Sequence, residues 1–432
     1  MGSSQSGGTT VAGPARRLVV PALGVTQILA WGSTYYLPAV IAPAIAADTA
    51  WPLPAVVGGL TLGLLVAGAV SPLVGRTIDR HGGRPVLCAA SLLFAAGLAA
   101  LAAAPSLLLY LAAWALLGLA MGGGLYDAAF ATLGRIFGET ARPAITCLTL
   151  IAGFASTVCW PLTAWLAAGF GWRGACFAYA ALQLLVALPL HACVLPRRPA
   201  ARAPTARDAT PGEPAGRVPP RLYLLLAATI TLAAAITAVV AVHLLSILQG
   251  RGLGLAAAVG LGALIGPSQV AARAVEMAVG RRRHPIWSMV AATMLVATGV
   301  GLLALAAPLA AVALVCFGAG AGIHSIARGT VPLALFGPAG YPTLLGRLAR
   351  PSLVAQALAP VLAAVLLQAA GPGGTLAALL ATAVADLALA LALLVAVRAA
   401  YAPLSRQTTS PTSSATSSDA PSGPTATPTG RP

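Results

Sequence analysis

Apolar residues dominate the chain in runs of about 20, the length needed to cross a bilayer core of about 30 Å as a helix. Twelve such runs can be marked. They are 18–44, 55–75, 86–104, 107–133, 143–168 and 173–195, then 221–248, 254–276, 285–306, 309–335, 347–370 and 373–398. Inside them no polar stripe recurs with helical period, as expected for helices surrounded by lipid and protein on all sides. The pattern predicts an all-α polytopic membrane protein with twelve transmembrane helices.

The segments between the runs set the organisation. Residues 1–17 begin Gly/Ser/Thr-rich and are expected to be a disordered cytoplasmic N-terminus; Arg16-Arg17 then precede an uncleaved first helix. Residues 18–195 form the first six-helix unit. Residues 196–220 hold seven prolines and five arginines, which cannot pack a core, and read as a cytoplasmic linker. Residues 221–400 form the second unit, and the Ser/Thr/Pro-rich residues 401–432 a disordered cytoplasmic tail.

Composition narrows the class. Only 8% of the 432 residues are charged, against roughly 25% in a soluble domain. Nine acids and five histidines leave little for an acid/base site, so an enzyme is not expected, and neither is a cofactor or a metal centre. The net charge of +16 comes entirely from arginine. With the N-terminus inside, the outer segments hold only Arg173 and Arg251, and Arg328 lies within a helix. This is a topology signal with both termini cytoplasmic, and no basic face with interleaved aromatics suggests nucleic acid. The six cysteines lie in apolar runs without paired spacing and read as buried thiols.

The two halves resemble each other at an offset near 199 residues: Phe137-Gly138 matches Phe336-Gly337, and Pro161 matches Pro360. Arg76, Asp79, Gly83 and Arg84 align with Arg273, Glu276, Gly280 and Arg281. A parallel repeat predicts two pseudo-symmetric six-helix bundles with a site at their interface.

The loop after the second run reads Gly75-Arg-Thr-Ile-Asp79-Arg80-His81-Gly82-Gly83-Arg84. It resembles the signature loop of the major facilitator superfamily through Gly75, Asp79, Arg80, Gly82 and Arg84, with Gly83 where an arginine is common. The resemblance extends over the twelve runs, the central linker and the degraded second copy at Arg273 and Glu276. It implies a gating motif that latches two bundles in the outward-facing state. Physically, Gly75 permits close helix approach, and Asp79 at a helix end is expected to pair with Arg80, Arg84 or a neighbouring helix terminus. The arginine of the helix-4 signature of proton-driven members and the glycine-proline pair of the antiporter signature are both missing.

The resemblance implies a cavity lined by helices 1, 4, 7 and 10. Polar groups are costly in lipid and so should face that cavity or each other. Gln27, Trp31 and Tyr35 share one helical face. Asp127 follows Gly122-Gly123-Gly124 and suits a proton carrier, a cation partner or a helix-end gate charge. His324 and Arg328 share a face four residues apart; Arg328 suits an anion or a pair with Asp127. His243 is read as interfacial, His191 and His284 as loop-proximal, and Gln356 as a cavity residue. Asp386 should have a partner that the sequence does not name.

The reading is a secondary active transporter of the bacterial inner membrane. It would act as a monomer on a small solute, favoured as an organic anion because of Arg328 and His324, with a proton as possible coupling ion. No lysine is present to build an ATP-binding loop. Export of a drug or toxic solute is the alternative, and a channel or polytopic membrane enzyme a distant one.

Overall fold

The computed structural model describes residues 13–197, 219–280, 283–305 and 307–407. The interior of the 196–220 segment and the outer parts of the 1–17 and 401–432 segments lie outside these residues. Helix α1 begins at Gly13 and the last helix runs to Gln407, so both reach into segments read as disordered.

The described residues are helical throughout, with no strand among them. The first half contains α1 (Gly13–Gly32), α2 (Pro38–Thr49), α3 (Leu53–His81), α4 (Gly83–Ala103), α5 (Leu107–Gly124), α6 (Tyr126–Phe137), α7 (Ala141–Ala152), α8 (Ala155–Leu182) and α9 (Leu188–Val194). The second contains α10 (Pro220–Gly250), α11 (Leu255–Gly262), α12 (Ile265–Val279), α13 (Pro285–Leu305), α14 (Ala310–Phe336) and α15 (Tyr341–Gln407). Prolines open α2, α10 and α13, where the missing N–H costs nothing.

Among the described residues, eight helical stretches are long and apolar enough to cross a membrane. Two of them, Leu107–Val194 and Tyr341–Ala399, far exceed one crossing and are interrupted. Gly171 inside α8 and Gly371 inside α15 leave helical geometry at positive φ, 70° and 66°. Gly138 and Gly337 also have positive φ, each at the end of a helix. Within each pair the glycines lie roughly 200 residues apart, at the spacing of the internal repeat.

Several runs read as single helices are broken. The first is divided between Gly32 and Leu37, the fourth at Leu125, the fifth at Gly153–Phe154, and the eighth at Ala263–Leu264. Gly32 lies against Cys159, Gly124 against Phe94, and Leu125 has an extended ψ of −171°. The freed backbone groups are recovered by side chains or by shifted turns, as membrane burial demands.

Packing joins the halves along two seams. Helix α3 lies between α5 and the first part of α15, and the Trp114–Tyr110–Phe94 core takes in Ala349, Leu353 and Ala357 of α15. Helix α7 packs on α12 and α14. Leu108, Leu185, Leu224, Leu305 and Leu362 remain exposed, an apolar surface suited to lipid rather than water.

Candidate functional site

The α1–α2 break builds the first wall of the site. After Gly32 the chain tightens: Thr34 Oγ1 donates to the Ala30 carbonyl at 2.6 Å and the Tyr36 amide to the Trp31 carbonyl at 3.0 Å. Gln183 fixes the turn by donating to Ser33 Oγ at 3.1 Å. Tyr35 therefore does not continue the helical face of Gln27 and Trp31, because α1 has ended. The turn still brings its ring against Trp31, edge-on at 5.4 Å.

The α5–α6 break builds the second wall. Ending α5 at Gly124 frees its carbonyl, which accepts from Gln27 Nε2 at 2.6 Å. It also starts α6 with Tyr126, whose ring lies 5.0 Å from Trp31 and stacks on Phe130 at 5.3 Å. Tyr36 meets Trp160 edge-on at 5.9 Å. The result is an aromatic cluster in which Trp31, Tyr35, Tyr36 and Tyr126 are only half-buried.

Asp127, next to Tyr126, meets Arg328 of α14: Nη2 donates to Oδ2 at 2.5 Å and to Ser352 Oγ of α15 at 3.3 Å. His324 lies one turn away on α14. Among the described residues, three buried polar atoms around these walls have no partner: Gln27 Oε1, Trp31 Nε1 and His324 Nε2. Such atoms are costly unless something else satisfies them. Gln356 of α15 lies beside Tyr35, which brings the second half onto the cluster.

The signature loop sits at one end of the α3–α15 seam. A Cβ on Gly75 would strike the Pro342 carbonyl and Gly346, so only glycine permits the approach. Asp79 pairs with neither Arg80 nor Arg84. Its carboxylate accepts from Thr343 Oγ1 at 3.0 Å in the first turn of α15 and lies 3.7 Å from Arg135, whose Nη1 also donates to the Asp79 carbonyl at 2.5 Å. A neighbouring helix N-terminus is therefore its partner, with the favourable dipole sign. Gly82 turns the chain at φ 84°, Arg80 is exposed, and Arg84 Nε is buried without a partner among the described residues.

The second copy is not equivalent. Glu276 lies 3.7 Å from Arg142 of α7 and accepts from Ser288 at 2.6 Å. Arg142 also reaches the Gly280 and Arg283 carbonyls, at 2.7 and 2.5 Å. Arg273 is buried, 6% exposed, whereas the aligned Arg76 is exposed.

His191 lies in the last turn of α9, near the linker, and is also buried, its ring nitrogens hydrogen-bonded to Ser91 at 2.9 Å and Thr26 at 3.0 Å. His243 bonds the Pro360 carbonyl at 2.8 Å. Asp386 is 1% exposed, and its Oδ1 has no partner among the described residues. Sequence reasoning named Tyr36 among the polar residues of the first run but passed over Tyr126, Thr343, Arg135 and Arg142 as site residues. Tyr126 could have been found, because it follows three glycines and precedes the only acid of its run.

The Major Facilitator Superfamily model matches residues 23–349, about three-quarters of the chain. The chain belongs to this superfamily. It is a multi-pass membrane protein and a transporter, not an enzyme. Similar solved structures include the human organic anion transporter MFSD10, with TM-score 0.66 and 18% identity over 88% of this chain and 100% of that one. They also include FucP in the outward conformation, with TM-score 0.67 and 11% identity over 87% and 99%. The proton:xylose symporter XylE has TM-score 0.66 and 11% identity over 86% and 94%. No curated protein matches the chain.

Proposed function

We propose that this transporter works by alternating access, with residues 18–195 and 221–400 as two six-helix bundles that rock about the aromatic cluster and the Asp127–Arg328 pair. Twelve crossings follow if Gly171 and Gly371 are read as turns between crossings and the breaks at Gly32–Leu37, Leu125, Gly153–Phe154 and Ala263–Leu264 as kinks within them. The arginine distribution then puts both termini in the cytoplasm of a bacterial inner membrane.

The single observation that carries this reading is where the polar contacts between the halves lie. Asp79–Thr343, Arg142 with Glu276, Gly280 and Arg283, and Asp127–Arg328 all sit between the signature-loop end and the middle of the molecule. On this reading the cytoplasmic side is latched closed. Gln27, Trp31, Tyr35, Asp127, His324 and Arg328 surround the solute path, and Gly75, Asp79, Arg80, Gly82, Arg84, Arg273 and Glu276 form the latch and its surroundings.

Arg328 already holds a carboxylate, so it is better suited to joining the bundles than to holding an anionic solute. A small solute moves, driven by its own gradient or a proton's. Reconstituted protein should give saturable counterflow with some member of a panel of labelled sugars, carboxylates and amines. Unsaturable leak conductance without counterflow would replace the transporter cycle by a channel.

A further inference from the structure

Arg273 of α12 is a buried cation with no carboxylate. Its guanidinium reaches four neutral oxygens: the Gly322 carbonyl at 3.4 Å, Ser325 Oγ at 3.1 Å, the Thr149 carbonyl at 3.4 Å and Gln269 Oε1 at 3.3 Å. Charge-assisted bonds to carboxylates are typically shorter, about 2.7–2.9 Å. Glu276, one turn away, is taken by Arg142 and Ser288. Asp127 is taken by Arg328. Among the described residues no acid lies within ion-pair distance of Arg273.

Burying a charge inside a membrane protein is expensive unless the charge is compensated. The Asp127–Arg328 pair is neutral, so the middle of the molecule keeps one uncompensated positive charge. Arg273 contacts Ser325, which precedes Arg328 by one turn of α14, and Arg328 holds Asp127, the neighbour of Tyr126, so that charge stands on the α14 side of the aromatic cluster. Trp31, packed on Tyr36 and Tyr126, offers an indole N–H without a partner among the described residues. A fixed cation, a free N–H donor and a wall of aromatic rings match the two ends of one ligand type.

We propose that Arg273 anchors the carboxylate of a small monocarboxylate with an aromatic or apolar body, which packs on Trp31, Tyr36 and Tyr126. One uncompensated charge fits a monoanion and leaves a dianion half unpaired. The planar fork suits two carboxylate oxygens, and the carboxylate would replace the loose contact to the Thr149 carbonyl. The proposal rests on the transporter reading for what binding is used for, but the site itself is testable without transport.

The test measures benzoate binding to the purified full chain by calorimetry, with benzamide as the neutral equivalent of the same shape and phthalate as the dianion. Wild type should bind benzoate more tightly than either by about tenfold or more, and Arg273→Gln should lose that advantage by a similar factor. Arg273→Lys, which keeps the charge and loses the fork, should fall between. Benzamide binding as tightly as benzoate in wild type, a comparison that needs no variant to fold, would overturn the proposal. So would undiminished benzoate binding by Arg273→Gln, or no benzoate binding at all. If a neutral solute shows saturable counterflow while benzoate does not bind, the transporter reading stands and the anchor falls. If benzoate binds through Arg273 but no solute shows counterflow, the anchor stands and the transporter cycle falls.

Discussion

Arg328 donates to Asp127 at 2.5 Å across 201 residues of sequence, so a helix of each half is tied to the other through one charge-assisted bond. Both side chains are largely buried, 17% and 16% exposed. Removing one partner leaves the other charge buried and alone. Arg328→Gln and Asp127→Asn should each destabilise the protein by about 3–5 kcal/mol, and the double variant by less than either single one. Thermal unfolding of the four proteins in detergent gives this cycle, and simple additivity would argue against a direct pair.

Gly75 and Gly58 lie on the same helix but face different surroundings. A Cβ at Gly75 would strike the backbone of α15, whereas a Cβ at Gly58 meets nothing within 4 Å. Gly75→Ala should therefore cost about 1–3 kcal/mol through overpacking at the seam. Gly58→Ala should be neutral or stabilising by up to about 1 kcal/mol, from helix propensity alone. Parallel melting curves would expose a mistaken seam if the two variants behaved alike.

Asp48 ends the α2 segment beside the turn at Gly171. Its carboxylate is paired with Arg173 and accepts from Trp172 Nε1 at 3.1 Å. The Arg173 hydrogen bond, then that of Trp172, hold its pKa below the ordinary carboxylate value. A depressed folded-state pKa gives stability that is present above the unfolded value and lost as pH falls through the folded one. Asp48→Asn should thus melt slightly below wild type at neutral pH, with the difference vanishing in acid and shrinking in high salt. A gap that widened on acidification would contradict the pairing.

Arg142 caps two carbonyls of the other half and pairs with Glu276. Arg142→Gln should loosen the latch on the α7–α12 seam. The reporter is Thr149→Cys, buried in the seam. Its reaction with an impermeant maleimide from the cytoplasmic side should speed up by about tenfold in the Arg142→Gln background, over the background of the native cysteines. An unchanged rate would mean that Arg142 does not hold this side shut.

The all-helical, apolar character of the chain was legible because lipid imposes a length and an apolar composition on each crossing. The breaks were not. In a helix apolar on all sides no periodicity shows where the helix stops, so Gln27, Trp31 and Tyr35 could be placed on one face although α1 ends at Gly32. The repeat located Arg273 opposite Arg76, but alignment does not carry environment: one is exposed and the other buried. The loop motif offered Arg80, Arg84 or a neighbouring helix terminus as the partner of Asp79, and of these the helix terminus is the one observed. The motif could not single out Thr343, because which helix docks there depends on the packing of Gly75 against Gly346.

The rocking of two bundles is tested most directly by locking the seam. Asp79→Cys combined with Thr343→Cys places two thiols at the closed contact between the α3–α4 turn and the start of α15. The account predicts that this pair cross-links readily under oxidation, that the cross-link abolishes counterflow, and that reduction restores it. Full counterflow in the cross-linked protein would contradict a cycle in which this contact opens.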